Sequence, residues 1–219
     1  MYGLLIASGI LIAVLFSEKL ARAKNLDGEL FWHAVFWTIA FGTIGARLYH
    51  VVDFWEIYGT NLWLIPQVWR GGLGIFGALI AGVIFLALFF KKHRQNVWVW
   101  LDVFALPIPF AQAVGRLGNY FNRELMPYAI YEAVANLLLF FVLFIINRKF
   151  GGLSSRKNKL QNGGVFAFYI IGYSTLRFAL EPFRTNAWTI AGLNVAQIIS
   201  ILLMLAAAAV LIKRQGSQD

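Results

Sequence analysis

The stretch GLGIFGALIAGVIFLALFF, residues 72–90, carries no charge and is followed at once by KKHR, residues 91–94. At 1.5 Å per residue it nearly matches a hydrocarbon layer about 30 Å thick, so it reads as a membrane-spanning helix. The run is continuous rather than alternating and about twice the length of a barrel strand, which favours a helix over a β-barrel. Working outward, comparable stretches lie at about 2–16, 31–52, 97–114, 128–146, 165–182 and 193–212, seven spans in all. Composition agrees. The 219 residues are 60% hydrophobic and 13% charged, with a mean hydropathy of +0.69, whereas a soluble domain has about 25% charged residues. The expected fold is an all-α integral membrane protein, a single transmembrane domain over 1–219 with no repeat, linker or low-complexity tract. The first stretch lacks a basic leader and a small-residue cleavage site, so it reads as a retained span.

Charge orients this bundle. Of 19 lysines and arginines, 13 follow spans 1, 3, 5 and 7: Lys19, Arg22, Lys24, Lys91, Lys92, Arg94, Arg148, Lys149, Arg156, Lys157, Lys159, Lys213 and Arg214. By the positive-inside rule those loops are cytoplasmic, which predicts an N-terminus outside and a C-terminus inside. The net charge of +9 is therefore topological, and no nucleic-acid partner is expected. Cysteine is absent, which excludes disulfides, thiolate nucleophiles on the chain and Cys-ligated metals. Three scattered histidines give no metal site, and no cofactor is expected.

The remaining cations, Arg47, Arg70, Arg116, Arg123, Arg177 and Arg184, are all arginines and all fall at outer span ends. An arginine in the bilayer costs about 2.5–3.5 kcal/mol even on the lenient insertion scale, so each one needs a partner or a ligand. Glu124, Glu132 and Glu181 lie at the same level. Two readings stand side by side. One is a set of Arg–Glu pairs pinning helices together. The other is a pocket for a phospholipid head group, because the planar guanidinium fork takes phosphate in bidentate fashion. In span 6, Tyr173, Arg177, Glu181 and Arg184 share one helical stripe. Where span 4 ends, GRLGNYFNRE at 115–124 crowds Arg116, Asn119, Asn122, Arg123 and Glu124 beside the membrane.

That segment closely resembles the signature of bacterial prolipoprotein diacylglyceryl transferases. The resemblance runs the length of the chain: Tyr2-Gly3-Leu4, Gly45-Ala46-Arg47-Leu48, Trp69-Arg70-Gly71-Gly72, Tyr131-Glu132, and Tyr173 with Arg177-Phe178-Ala179-Leu180-Glu181 match ordered family motifs, and Asp102, Gln197 and Ser200 fall at expected places. The resemblance implies a seven-span enzyme of the bacterial plasma membrane. Such an enzyme moves the diacylglyceryl group of phosphatidylglycerol, one of its membrane-lipid partners, onto the lipobox cysteine thiol of a preprolipoprotein signal peptide and releases glycerol phosphate. Carried over by position, Arg116, Arg177 and Glu181 are the catalytic candidates. Arg116, Asn119 and Glu124, with Tyr2 and Tyr173 in support, are the substrate-binding candidates. On this reading both arginines hold the phosphate, Asn119 and Glu124 bind the glycerol hydroxyls and orient Arg116, and Glu181 fixes the rotamer of Arg177.

Two departures stand out. Phe76 occupies the place where the family commonly has a histidine, and phenylalanine cannot accept a proton; His50, near the outer end of span 2, is then the candidate base. Glu124 and Tyr131 are separated by a short link where family members place an outward segment of some tens of residues. Two alternatives stay open: a glycerolipid transferase with another acceptor, and a non-catalytic phospholipid-binding or transport protein. If the carried-over role holds, Arg177→Ala leaves a folded protein whose transfer rate falls on the order of 1,000-fold, the scale for losing a donor to developing negative charge; a comparable rate in the variant contradicts the role.

Overall fold

A computed structural model describes residues 2–151, 160–184, 189–190 and 192–215, with no side-chain description at Tyr2, Arg214 and Gln215. Five residues with sequence-level roles thus lie outside it: Arg156, Lys157 and Lys159 entirely, and Tyr2 and Arg214 at the side chain. The helices are α1 (Tyr2–Ala23), α2 (Gly28–Asp53), the short α3 (Trp55–Tyr58), α4 (Ile75–Lys92), α5 (Val97–Ala105), α6 (Ile108–Phe121), α7 (Tyr128–Phe150), α8 (Gly164–Leu180) and α9 (Val195–Gln215). A two-residue antiparallel ribbon, β1 (Thr189–Ile190) with β2 (Leu193–Asn194), precedes α9. Six segments are long and apolar enough to cross a membrane: α1, α2, α4, α7, α9, and α5 with α6 taken together. The remaining expected span, 165–182, forms α8, whose 17 residues run into a 3-10 turn at Glu181–Phe183. The chain is an all-α, multi-pass membrane protein.

The chain divides into two compact units, Met1–Leu26 with Trp98–Asp219, and Asp27–Val97. In the first, neighbouring helices pack in the order α1, α6, α7, α8, α9. The fourth expected span is not one helix. It breaks at Leu106–Pro107 because Pro107 and Pro109 lack the N–H groups that would continue the ladder. The carbonyl of Val103, which Pro107 leaves without its i+4 donor, accepts instead from the buried Ser17 hydroxyl of α1 at 3.2 Å. Backbone polarity in an apolar medium has to be satisfied locally, and here a neighbouring helix supplies the proton.

Asp102, buried on α5, does similar work for α8. Its two oxygens accept from the backbone N–H groups of Gly163 and Phe166, each at 2.8 Å. The α8 N-cap is Gly163, at φ 92 and without a side chain to cap with, so the cap is contributed from another helix. This anchors the start of the helix whose far end carries Arg177.

In the second unit α2 packs along α4. Gly45 and Gly77 meet backbone to backbone: a Cβ on either would collide with the other's carbonyl oxygen, the close approach that small residues permit between membrane helices. The 54–74 connection is fastened by Arg47. Its Nε donates to Ile65 O, Nη1 to Gly71 O and Gly72 O, and Nη2 to Leu64 O and Gln67 O, at 2.6–3.3 Å. All five guanidinium N–H donors are thereby used, and the group lies 4.9 Å over the Tyr58 ring. Arg47 pairs with no carboxylate among the described residues; it is a tie for backbone carbonyls.

Replacing Asp102 with Ala strips two charge-assisted hydrogen bonds from the α8 cap and costs about 3 kcal/mol, measured by denaturant unfolding in mixed micelles; an unchanged midpoint would show that the cap does not hold α8.

Candidate functional site

The candidate site is built by three helix ends of the first unit: the C-terminal end of α6, the N-terminal turn of α7 and the C-terminal end of α8. Helix α6 ends in a left-handed cap. Asn122 is the cap residue, Arg123 has φ 57, and the N–H groups of Arg123 and Glu124 return to Tyr120 O and Asn119 O at 2.9 and 2.8 Å. That is the double-bonded Schellman arrangement, with arginine at the position glycine usually takes. Folding back in this way brings the Glu124 carboxylate onto Asn119, whose Nδ2 donates to Glu124 Oε2 at 3.0 Å. The amide is thereby turned so that Oδ1 faces Arg116, which donates from Nη1 at 3.4 Å. The expected chain Glu124, Asn119, Arg116 is present, one turn of helix long.

The principal partner of Arg116 is a different residue. Its Nε sits 2.8 Å from Glu132 Oε2, across the α6–α7 interface. Tyr128, Glu132 and Asn136 recur every four residues along one stripe of α7, and all three are buried. Tyr128, at 2% exposure, takes a short hydrogen bond from Arg177 Nη1. Tyr131, the tyrosine of the Tyr-Glu motif, is 50% exposed and turns away. Within one turn, α7 thus holds Arg177 through a phenol and Arg116 through a carboxylate.

On α8, Arg177 Nη2 pairs with Glu181 Oε2 at 3.1 Å, and Arg184 Nη1 approaches Glu181 Oε1 at 3.6 Å. Glu181 is almost fully buried and its oxygens form ion pairs without hydrogen-bond alignment. Tyr173 stacks on Tyr169 with centroids 6.0 Å apart, and Tyr169 accepts from Gln112 at 3.1 Å. Arg116, Arg177, Arg184 and Glu132 all act electrostatically on the Tyr173 hydroxyl, and Arg116, Arg177, Glu132 and Glu181 on that of Tyr128. Three guanidiniums, two phenols and two carboxylates thus form one cluster.

Of the two sequence readings of the arginines, the Arg–Glu pairing describes contacts present in the structure. Arg116–Glu132 does pin α6 to α7. Yet each guanidinium has five donors, and the protein engages two nitrogens of Arg116 and two of Arg177. Among the described residues Nη2 of Arg116 and Nε of Arg177 make no further hydrogen bond, and the partners of the other nitrogens fix both rotamers.

Of the sequence candidates, Arg116, Asn119, Glu124, Tyr173, Arg177 and Glu181 come together here. His50 belongs to the other unit, among Phe54 and Tyr58 with ring centroids at 4.5 and 5.8 Å. Phe76 also lies there, 6.1 Å from Tyr49. Arg70 and Arg123 are exposed. Tyr128 is not among the sequence candidates, and Glu132, one of the three carboxylates read there as possible arginine partners, is the one that pairs with Arg116; the four-residue spacing of the two at the start of α7 was the available signal.

Comparison with known proteins gives a consistent result. The chain matches the sequence profile of a family described as prolipoprotein diacylglyceryl transferase, in two pieces, residues 1–127 and 125–213. The pieces meet at the α6–α7 turn, where the sequence shows a shortened connection. Relatives named phosphatidylglycerol–prolipoprotein diacylglyceryl transferase include those of Listeria innocua, 31% identical over 98% of this chain and 85% of the relative, Finegoldia magna, 31% over 97% and 90%, and Symbiobacterium thermophilum, 32% over 92% and 83%. The Listeria alignment runs over 244 positions against a chain of 219 residues, so that relative carries segments with no counterpart here.

Removing the phenol that holds Arg177 tests the geometry. Tyr128→Phe is expected to lower kcat/KM about 10-fold, the value of one charge-assisted hydrogen bond of about 1.5 kcal/mol, with Tyr131→Phe within twofold of the parent; the reverse ranking would contradict the assignment.

Proposed function

This chain belongs to the prolipoprotein diacylglyceryl transferase family, and on that premise we propose that it transfers the diacylglyceryl group of phosphatidylglycerol to the lipobox cysteine of a preprolipoprotein, at the outer face of the bacterial plasma membrane. A sulfur–carbon bond forms at the terminal glycerol carbon of the diacylglyceryl group. The bond from that carbon to the phosphate oxygen breaks, and the electron pair leaves with glycerol phosphate. The thiol proton is lost to solvent or to a base.

The observation that carries this reading is the convergence of Arg116 and Arg177 on one end of the α6–α7–α8 group, each braced by protein partners. Negative charge grows on the phosphate as the carbon–oxygen bond breaks. Guanidiniums already oriented bind that charge more tightly in the transition state than in the ground state, and they reorganise little when it appears. Asn119 and Glu124 offer donor and acceptor groups to the glycerol hydroxyls of the leaving group. Glu181 and Glu132 hold the two arginines and are positioning residues in this scheme. The substrate supplies the nucleophile, in keeping with a chain that has no cysteine. A free thiol has a pKa of about 8.5, so a few per cent is thiolate at neutral pH, and neighbouring guanidiniums raise that share. With Phe76 in place of the usual histidine, this electrostatic activation carries the burden of deprotonation.

The deciding assay follows glycerol phosphate released from phosphatidylglycerol by the purified protein. Release is expected with a lipobox peptide bearing a free cysteine, together with a mass increase of one diacylglyceryl group on the peptide, and no release with the cysteine-to-serine peptide. Release that is independent of the peptide would mean a lipase-like hydrolysis and would overturn the transfer reading.

A further inference from the structure

The 54–74 connection of the second unit borders an open pocket of about 210 Å³ whose lining includes Arg47, His50, Tyr58, Arg70, Gly71 and Gly72. None of these residues belongs to the Arg116–Arg177 cluster. The wall of this cavity is unbalanced in charge. Arg47 is 5% exposed, and its donors end on carbonyl oxygens and its face on a phenol ring. Such groups solvate a cation; they do not neutralise it. No carboxylate lies within ion-pair distance of Arg47 or Arg70 among the described residues, and the carboxylates nearest in sequence, Asp53 and Glu56, are exposed and do not line the cavity. A buried guanidinium and an exposed one border the same pocket, and their like charges repel unless an anion joins them.

The backbone is shaped to leave that space open. Gly71 and Gly72 have φ of 84 and 74, values that glycine adopts without penalty. A Cβ at Gly72 would run into the His50 ring edge and Arg47 Nη1, so the missing side chain is what lets His50 and Arg47 border the same cavity. A guanidinium fork selects planar oxyanions and phosphates, and an imidazole beside it adds one more donor. At about 30 Å³ per water, the volume exceeds a bare phosphate and admits a small polar substituent.

We propose that this cavity is a second anion site, taking the phosphate of a glycerol phosphate group, with Arg70 and His50 as direct ligands and the Arg47 charge behind them. The group comes either as free glycerol phosphate or as the head group of a lipid. This inference does not depend on the transferase reading, since it rests on residues outside the Arg116–Arg177 cluster.

The test uses the full-length protein in phosphatidylcholine nanodiscs, with three forms compared: the parent, Arg70→Gln/His50→Phe, and Arg116→Ala/Arg177→Ala. Arg47 is left intact because its loss would release the connection itself. Circular dichroism and thermal midpoint establish that each form is folded. Glycerol phosphate binding is followed by phosphorus NMR, and phosphatidylglycerol retention by native mass spectrometry. The proposal predicts that the Arg116→Ala/Arg177→Ala form keeps one saturable site for at least one of the two probes, and that affinity at this site falls at least 10-fold in the Arg70→Gln/His50→Phe form. Retention confined to the lipid probe identifies a head-group site, and displacement of the lipid by glycerol phosphate identifies a site for either source. A folded Arg70→Gln/His50→Phe protein whose binding of both probes superposes on that of the parent overturns the proposal.

Discussion

A guanidinium inside a membrane bundle has to be held by something, and the arrangement of this protein follows from how each one is held. In a low-dielectric setting an arginine without a partner costs several kcal/mol, while an arginine fully consumed by carboxylates has nothing left for a ligand. Arg116 and Arg177 occupy the ground between. Glu132 and Asn119 engage two nitrogens of one, Glu181 and Tyr128 two nitrogens of the other. Both rotamers are fixed and both groups keep donors in reserve. The tie between the two arginines is the first turn of α7, where Tyr128 and Glu132 lie four residues apart on one buried stripe.

Other features of the first unit serve to place the three helix ends. The break between α5 and α6 is made tolerable by Ser17, and Asp102 caps α8 from outside. The α6 end turns through a left-handed arginine rather than a glycine, a conformation that costs on the order of 1 kcal/mol and is found at functional sites. Its return is to set Glu124 against Asn119. The connection to α7 is short, and the family profile divides there.

Much of this was legible in the sequence. Long apolar runs marked the spans because a helix must cover the hydrocarbon thickness whatever its neighbours do. Contacts within one element were also readable: Arg177 with Glu181, and Asn119 with Arg116 and Glu124, follow from spacings of three to five residues. What the sequence could not disclose were contacts across helices. Arg116 pairs with Glu132 rather than leaning on Glu124, and Tyr128 rather than Tyr131 is the buried phenol, because rotation of α7 about its axis decides which tyrosine faces α8. Arg47 looked like one more phosphate ligand. Its partners turned out to be backbone carbonyls, which every residue type possesses and which leave no trace in composition. Prolines 107 and 109 mark the break of the fourth span, which the continuous apolar run around them conceals.

The central claim is that Arg116 and Arg177 work as one site joined through α7. A double-mutant cycle on kcat/KM for peptide-dependent transfer, pairing Tyr128→Phe with Glu132→Gln, measures that union directly. Residues acting on a shared site couple by about 1 kcal/mol or more, while independent ones add to within about 0.5 kcal/mol. The account predicts coupling of at least the former size; effects that simply add would mean that the two arginines act separately and would contradict it.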